Sequence, residues 1–155
     1  MSQSEIIQTG VKSLQVTVMS LIIGVIGFIV AGAVVTSTMG SEFAELDQEI
    51  IWLIAGGIAL IAIIFGFSGN LLFKKKLSEI SASKDYKDIL AQYRSALIIR
   101  VVMSEMPGFL SCVSFFILAD YTLLAGAVIS IIAMGMAFPK KEMVYRQLGI
   151  NEWEV

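Results

Sequence analysis

Four stretches of the chain are apolar over the length of a membrane crossing, and the polar residues gather between and beside them. A helix needs about 20 largely apolar residues to cross the hydrocarbon core of a bilayer. The segments from about Leu14 to Met39, Ile50 to Phe73, Ala96 to Ala119 and Tyr121 to Phe138 meet that requirement. The first is long enough to tilt or to project beyond the hydrocarbon. Lys12 ahead of it and Ala31-Gly32-Ala33 within it imitate a secretory signal. The apolar core of such a signal is only about 7–15 residues, so the segment reads as a retained helix. The expected fold class is all-α integral membrane, one four-helix domain covering residues 1–155.

Between the second and third spans, residues 74–95 are too polar to cross. Leu77, Ile80, Ile89, Leu90 and Tyr93 nevertheless recur there at roughly helical spacing. This predicts an amphipathic connector, either lying on headgroups or standing as a solvated helical link. So few residues surround Asp120 that the third and fourth spans should form a tight antiparallel hairpin. Pro139 cannot continue the fourth span without disrupting its backbone hydrogen bonds. The tail 139–155 offers Met143, Leu148, Ile150 and Trp153 for packing or interface contact.

Charge orients these elements. All 11 Lys and Arg residues fall on one side of the four-span topology. Lys12 precedes the first span; Lys74, Lys75, Lys76, Lys84, Lys87, Arg94 and Arg100 lie between the second span and the first turns of the third; Lys140, Lys141 and Arg146 follow the last. The opposite side carries Glu42, Glu45, Asp47, Glu49 and Asp120 and no cation. Cations mark the cytoplasmic side of a membrane protein, so both termini and residues 74–95 are expected in the cytoplasm. The net charge of −2 hides this segregation.

Composition removes several chemistries. Hydrophobic residues make up 57% of the chain, which for so small a protein points to lipid as its solvent. There is no His, hence no imidazole base, proton shuttle or metal ligand. Cys112 is the lone cysteine and has neither a disulfide partner nor metal-ligand spacing. The 8 Met residues form no convincing thioether set, and the acidic loop matches no calcium loop. No phosphate-binding glycine loop, nucleophile triad or basic–aromatic nucleic-acid surface is present. No cofactor or metal is expected, and an enzyme is not.

Small residues recur at i,i+4 spacing: Ser20 with Gly24 and Gly27 with Ala31 on the first span, Ala62, Gly66 and Asn70 on the second, Gly126 and Ser130 on the fourth. In lipid such faces let helix backbones approach closely. Packing of the four helices on one another is their favoured use, with a partner protein as the alternative.

One constellation carries chemistry. Within the third span, Arg100, Ser104, Glu105 and Pro107 lie in succession. Five residues of helix put Glu105 about 7.5 Å deeper than Arg100 and turn the two side chains about 140° apart. Pro107 deprives the Met103 carbonyl of its partner and predicts a kink, loosened further by Gly108. Asn70, Gln15 and Thr17 lie toward the same leaflet, so a small polar pocket open to the cytoplasm is expected. Glu105 reads either as a titratable site or as a register-fixing carboxyl, protonated or paired with Asn70, Arg100 or another subunit. Lys74, Lys75 and Lys76 are a topogenic anchor first and a lipid-headgroup site second. The two halves of the chain show no matching repeat of the kind inverted-repeat transporters carry.

The second half of the chain resembles a group of small four-span membrane proteins common in Bacteroidota. The resemblance lies in Tyr93-Arg94-Ser95-Ala96 with Ile98-Ile99-Arg100, in Glu105 ahead of Pro107, and in Pro139-Lys140-Lys141-Glu142 before Leu148. It implies the fold class and a bacterial inner membrane, and no mechanism. The expected function is a non-enzymatic accessory, assembly or scaffold subunit, partnered by lipid and by other subunits or by itself as a homo-oligomer. The alternative is a small oligomeric proton- or cation-coupled carrier or channel using Glu105.

Overall fold

A computed structural model describes residues 3–39, 46–80 and 86–149, all of them helical or in short turns. Glu42 and Glu45 of the acidic loop, Lys84, and Ile150 and Trp153 of the tail lie outside the described residues. Helix α1 runs Gln3–Met39, α2 Gln48–Glu79 and α3 Tyr86–Leu118. A 3₁₀ turn, Tyr121–Leu124, leads into α4, Ala125–Met136, and α5 follows at Lys141–Leu148. Three helices are long and apolar enough to cross a membrane, and a fourth crossing results if the bent pair Tyr121–Met136 and Lys141–Leu148 counts as one.

The long helices exceed the predicted spans at their cation-bearing ends. With 37, 32 and 33 residues, α1, α2 and α3 rise about 55, 48 and 50 Å, against roughly 30 Å of hydrocarbon. Among the described residues the expected connector over residues 74–95 is therefore not a separate surface element but the ends of α2 and α3. Lys74, Lys75 and Lys76 form the last turns of α2, and residues 86–95 are the first turns of α3 in one unbroken helix. Its apolar positions pack inward instead of onto lipid: Leu90 and Tyr93 are buried, and Leu77 and Ile80 close around them. The physical reason is a choice of partner, because Ile7, Val11, Leu14 and Phe73 offer a core at the same level.

Helix α3 is the hub. It packs against α1, α2 and α4, while α1 and α2 barely touch among the described residues. Glycines set the close approaches. A Cβ at Gly32 of α1 would stand 3.2 Å from Phe115 of α3, and one at Gly69 of α2 would stand 3.2 Å from the Arg100 carbonyl oxygen. One at Gly108 of α3 would stand 3.0 Å from Ser130 Cβ of α4. These contacts fix register: α1 runs parallel to α3, with Gly10 beside Leu90 and Gly32 beside Phe115, and α2 runs antiparallel. Phe28 meets Phe109 edge to face at 5.1 Å.

Two cores result. The larger occupies the cation-bearing end and the bundle middle, joining α1, α2 through Phe73, α3, α4 and α5; the smaller gathers Ile51, Ala55, Ile58, Phe115 and Leu123 at the opposite end. Chain reversal between α3 and the 3₁₀ turn is made by Ala119, in the left-handed region at φ 55°, and by Asp120. The fourth segment is shorter than expected. Its 4-residue 3₁₀ turn and 12-residue α4 rise about 26 Å. Past Pro139 the chain bends by 67° into α5, whose Val144 and Tyr145 are buried against the larger core.

Small-residue faces divide into two kinds. Gly126 and Ser130 pack inward, but Ser20, Gly24, Gly27 and Ala31 of α1 are all exposed, against the expectation of internal packing. Nothing stands within 4 Å of a Cβ built at Gly24, Gly27 or Gly66. Packed against α3 as the hub, α1 buries one edge and leaves the rest uncovered.

At Gly126 a Cβ would lie 2.5 Å from Ile58 Cγ2 and 3.2 Å from Ser111 Oγ. Gly126→Ala is expected to cost about 1–3 kcal/mol by overpacking, and Ile58→Ala in the same chain should restore part of it. Gly56→Ala, in open space, should stay within about 0.5 kcal/mol. Denaturant unfolding in detergent checks all three.

Candidate functional site: polar groups inside the bundle

The sequence brings several polar side chains onto α3, and helix geometry sends them to different neighbours. Gly69 of α2 packs against Arg100 and Met103, so α2 lies along the Arg100 side of α3. Glu105 is turned about 140° from Arg100, on the same side of α3 as Val101 and Cys112. Gly108, one turn further on the same side, packs against Ser130 of α4 and Val25 of α1, so Glu105 lies on the flank of α3 turned toward those two helices. Among the described residues no hydrogen bond or ion pair joins Glu105 to Asn70 or Arg100, because Arg100 and the α2 helix that carries Asn70 lie on the flank of α3 turned away from Glu105.

Glu105 is 8% exposed and makes no hydrogen bond or ion pair with another described residue. Arg100 points its guanidinium over the ring of Phe73, 5.2 Å from the centroid. Phe73 meets Tyr93 edge to face at 5.8 Å, and the Tyr93 hydroxyl donates to Gln147 Oε1 at 2.9 Å. This relay ties α3 to α2 and α5. Ser104 is buried and donates to the Arg100 carbonyl one turn back at 3.1 Å. Pro107 is buried, and α3 continues through it as helix. Gln15 leaves the expected pocket as well: its amide donates to the Pro139 carbonyl at 2.9 Å and pins the bend before α5 to α1. Thr17 donates to the Ser13 carbonyl at 2.9 Å. Lys74, Lys75 and Lys76 are exposed.

Sequence reading missed the polar centre that matters most to the packing. Ser111 Oγ, buried on α3, donates to the Leu123 carbonyl and accepts from the Ala127 N–H at 3.0 Å. Both backbone groups belong to the junction of the 3₁₀ turn with α4, where the change of helix type frees them. Ser130, opposite Gly108, is buried with no partner for its hydroxyl. The available signal was a serine among the small residues of α3 and of α4, which small-residue patterns alone do not distinguish from packing.

At the opposite end Asp120 caps the 3₁₀ turn. Its Oδ1 accepts from the Thr122 hydroxyl at 2.5 Å and from the Thr122 N–H at 2.8 Å, and its Oδ2 accepts from Gln48 at 3.4 Å. The Thr122 hydroxyl, then its N–H, hold the carboxyl below its ordinary range.

No family model, curated protein or solved structure matches the chain. Function must be argued from the bundle itself. Among the described residues no group of three or more acidic, Cys or His side chains is placed to hold a metal ion.

Ser111→Ala would strand the Leu123 carbonyl and the Ala127 N–H, and is expected to cost about 1–3 kcal/mol. Ser104→Ala, which loses only a bond within its own helix, should cost under about 1 kcal/mol. Paired unfolding curves in detergent compare them. A carboxyl held low stabilises the fold above its ordinary pKa, about 3.9, and that contribution is lost as pH falls through the lower folded value. Between pH 5 and 3 the wild type should therefore lose more stability than Asp120→Asn, by no more than about 1 kcal/mol for a half-buried cap at the bundle's end. Thermal melts across that range measure the difference.

Proposed function

We propose that the chain is a non-enzymatic accessory or assembly subunit of a membrane complex, four-span, with both termini cytoplasmic, in a bacterial inner membrane. The observation that carries this reading is the uncovered face of α1. Only 17% of its most apolar stretch is buried, and Ser20, Gly24, Gly27 and Ala31 line the open side. In lipid, exposed apolar surface alone does not draw helices together, but a small-residue face does, by close backbone approach. Glu105 is read with it as a register-fixing carboxyl: neither pairing considered for it within the chain is made, which leaves it protonated or paired with a donor of another subunit.

Support for the topology comes from charge. Lys12, the Lys74 to Lys76 run, Lys87, Arg94, Lys140, Lys141 and Arg146 all sit where the start of α1, the end of α2, the start of α3 and α5 meet. Asp47, Glu49 and Asp120 are at the other end. The inner membrane follows from the resemblance of the second half to the four-span group.

A carrier using Glu105 is the second reading, favoured by a buried carboxyl that has no partner among the described residues. Against it, the polar groups that would line a path are dispersed around α3.

Gentle extraction followed by sizing and mass spectrometry should find the chain in a defined complex with other membrane proteins. Gly24→Leu with Gly27→Leu, both in open space, should release it from that complex with its own unfolding midpoint unchanged. A wild-type chain that extracts as a lone monomer overturns the assembly reading. A homogeneous homo-oligomer that dissipates a pH gradient in liposomes, and loses this with Glu105→Gln, establishes the carrier.

A further inference from the structure

Lys12 and Lys141 are far apart in sequence and meet at one cleft. The cleft is about 290 Å3 and is lined by Gln8, Val11, Lys12 and Gln15 of α1 and by Lys141 at the start of α5. That is close to the lower end of small-ligand pockets, roughly 300–1,000 Å3, and suits a headgroup better than a whole lipid. Two of its polar groups are held in place before anything binds. The Gln15 amide is fixed by the Pro139 carbonyl at 2.9 Å, and the Lys141 ammonium lies 5.4 Å over the ring of buried Tyr145. Among the described residues no carboxylate lines the cleft; Glu142, next in sequence to Lys141, lines a separate one with Lys140, Met143 and Arg146.

Depth and direction select the occupant. The cleft sits where α1 enters its apolar stretch, near Leu14, and where the chain leaves α4 at Pro139. Gln8, Lys12 and Gln15 continue along one face of α1, at alternating spacings of four and three, into Met19, Ile22 and Ile26. Met19 and Ile26 are 49% and 44% exposed. Donors at the cation-rich end and an uncovered apolar strip directly below match the order of a phospholipid, headgroup first and acyl chain after.

We propose that this cleft binds the phosphate of an anionic phospholipid of the phosphatidylglycerol class, with Lys12 and Lys141 as the cations, Gln8 and Gln15 as amide donors, and an acyl chain along Met19 and Ile26. The site is distinct from the lysine run at the end of α2. It is also independent of the assembly role.

The test uses the full chain in mixed micelles, with lipid adducts counted by native mass spectrometry. Wild type should prefer phosphatidylglycerol over phosphatidylcholine by about thirtyfold, roughly fivefold for each lysine near an anionic phosphate. Lys12→Gln with Lys141→Gln should abolish the preference, and Lys12→Arg with Lys141→Arg should retain it, which separates lost charge from lost folding. Lys74→Gln with Lys76→Gln removes equal charge from the exposed end of α2 and should leave the preference within about twofold. Soluble glycerol phosphate, lacking the chain, should not compete with the lipid. Equal binding of the two lipids, an equal loss in the α2 variant, or competition by glycerol phosphate at lipid-like concentrations overturns the proposal.

Discussion

Close backbone approach onto α3 is the constraint on which the rest of this bundle depends. Between helices in lipid, burying one apolar side chain against another gains little, because hydrocarbon is equally apolar on either side of the transfer. What holds a bundle is dispersion at short range and polar groups satisfied between helices. Gly32, Gly69 and Gly126 meet α3, and α3 itself gives way at Gly108 to Ser130 of α4. At Gly126 the approach brings Ser111 Oγ to the Leu123 carbonyl and the Ala127 N–H. A 3₁₀ segment leaves backbone groups without their α-helical partners, and membrane interiors offer no water to take them up. One serine on the facing helix meets that demand.

The cation-bearing end obeys a different solvent. There α1, α2 and α3 extend past the hydrocarbon, and the hydrophobic effect acts as it does in a soluble protein. Ile7, Leu90, Tyr93, Val144 and Tyr145 form a buried core with lysines on its outside. Arg100 stacks on Phe73 at this boundary instead of pairing with Glu105. A guanidinium over an aromatic face keeps part of its water while its stem packs on apolar surface. The bend at Pro139, held by Gln15, returns α5 to this inner core.

The outer surface is left incomplete in a consistent way. The helix with the lowest burial, α1, presents small residues where side chains could have filled space. The Glu105 carboxyl also has no partner among the described residues. The small-residue face lies on the side of α1 away from its buried residues Val18, Val25 and Gly32, so a second protein surface would cover it without displacing α3.

Helical class, the length of the apolar segments, the segregation of cations and the turn at Asp120 were all readable from residue order. Each depends on local composition: an apolar run of sufficient length must be helical in lipid, because only then are its backbone groups satisfied. Helix spacing also foretold that Arg100 and Glu105 would not share a face. The neighbours of each face were not readable. Gly126 and Gly24 follow the same small-residue pattern, yet one lies against Ile58 and the other against nothing. The apolar spacing from Leu77 to Tyr93 was equally compatible with a lipid surface and a protein core, and the presence of Ile7 and Phe73 at the same level decided it. Glu105, Asn70 and Gln15 share a depth that sequence reveals, but azimuth around α3 is set by which helix packs where. Periodicity determines what a helix offers; only tertiary packing decides which neighbour takes it, because that choice rests on contacts between residues far apart in the chain.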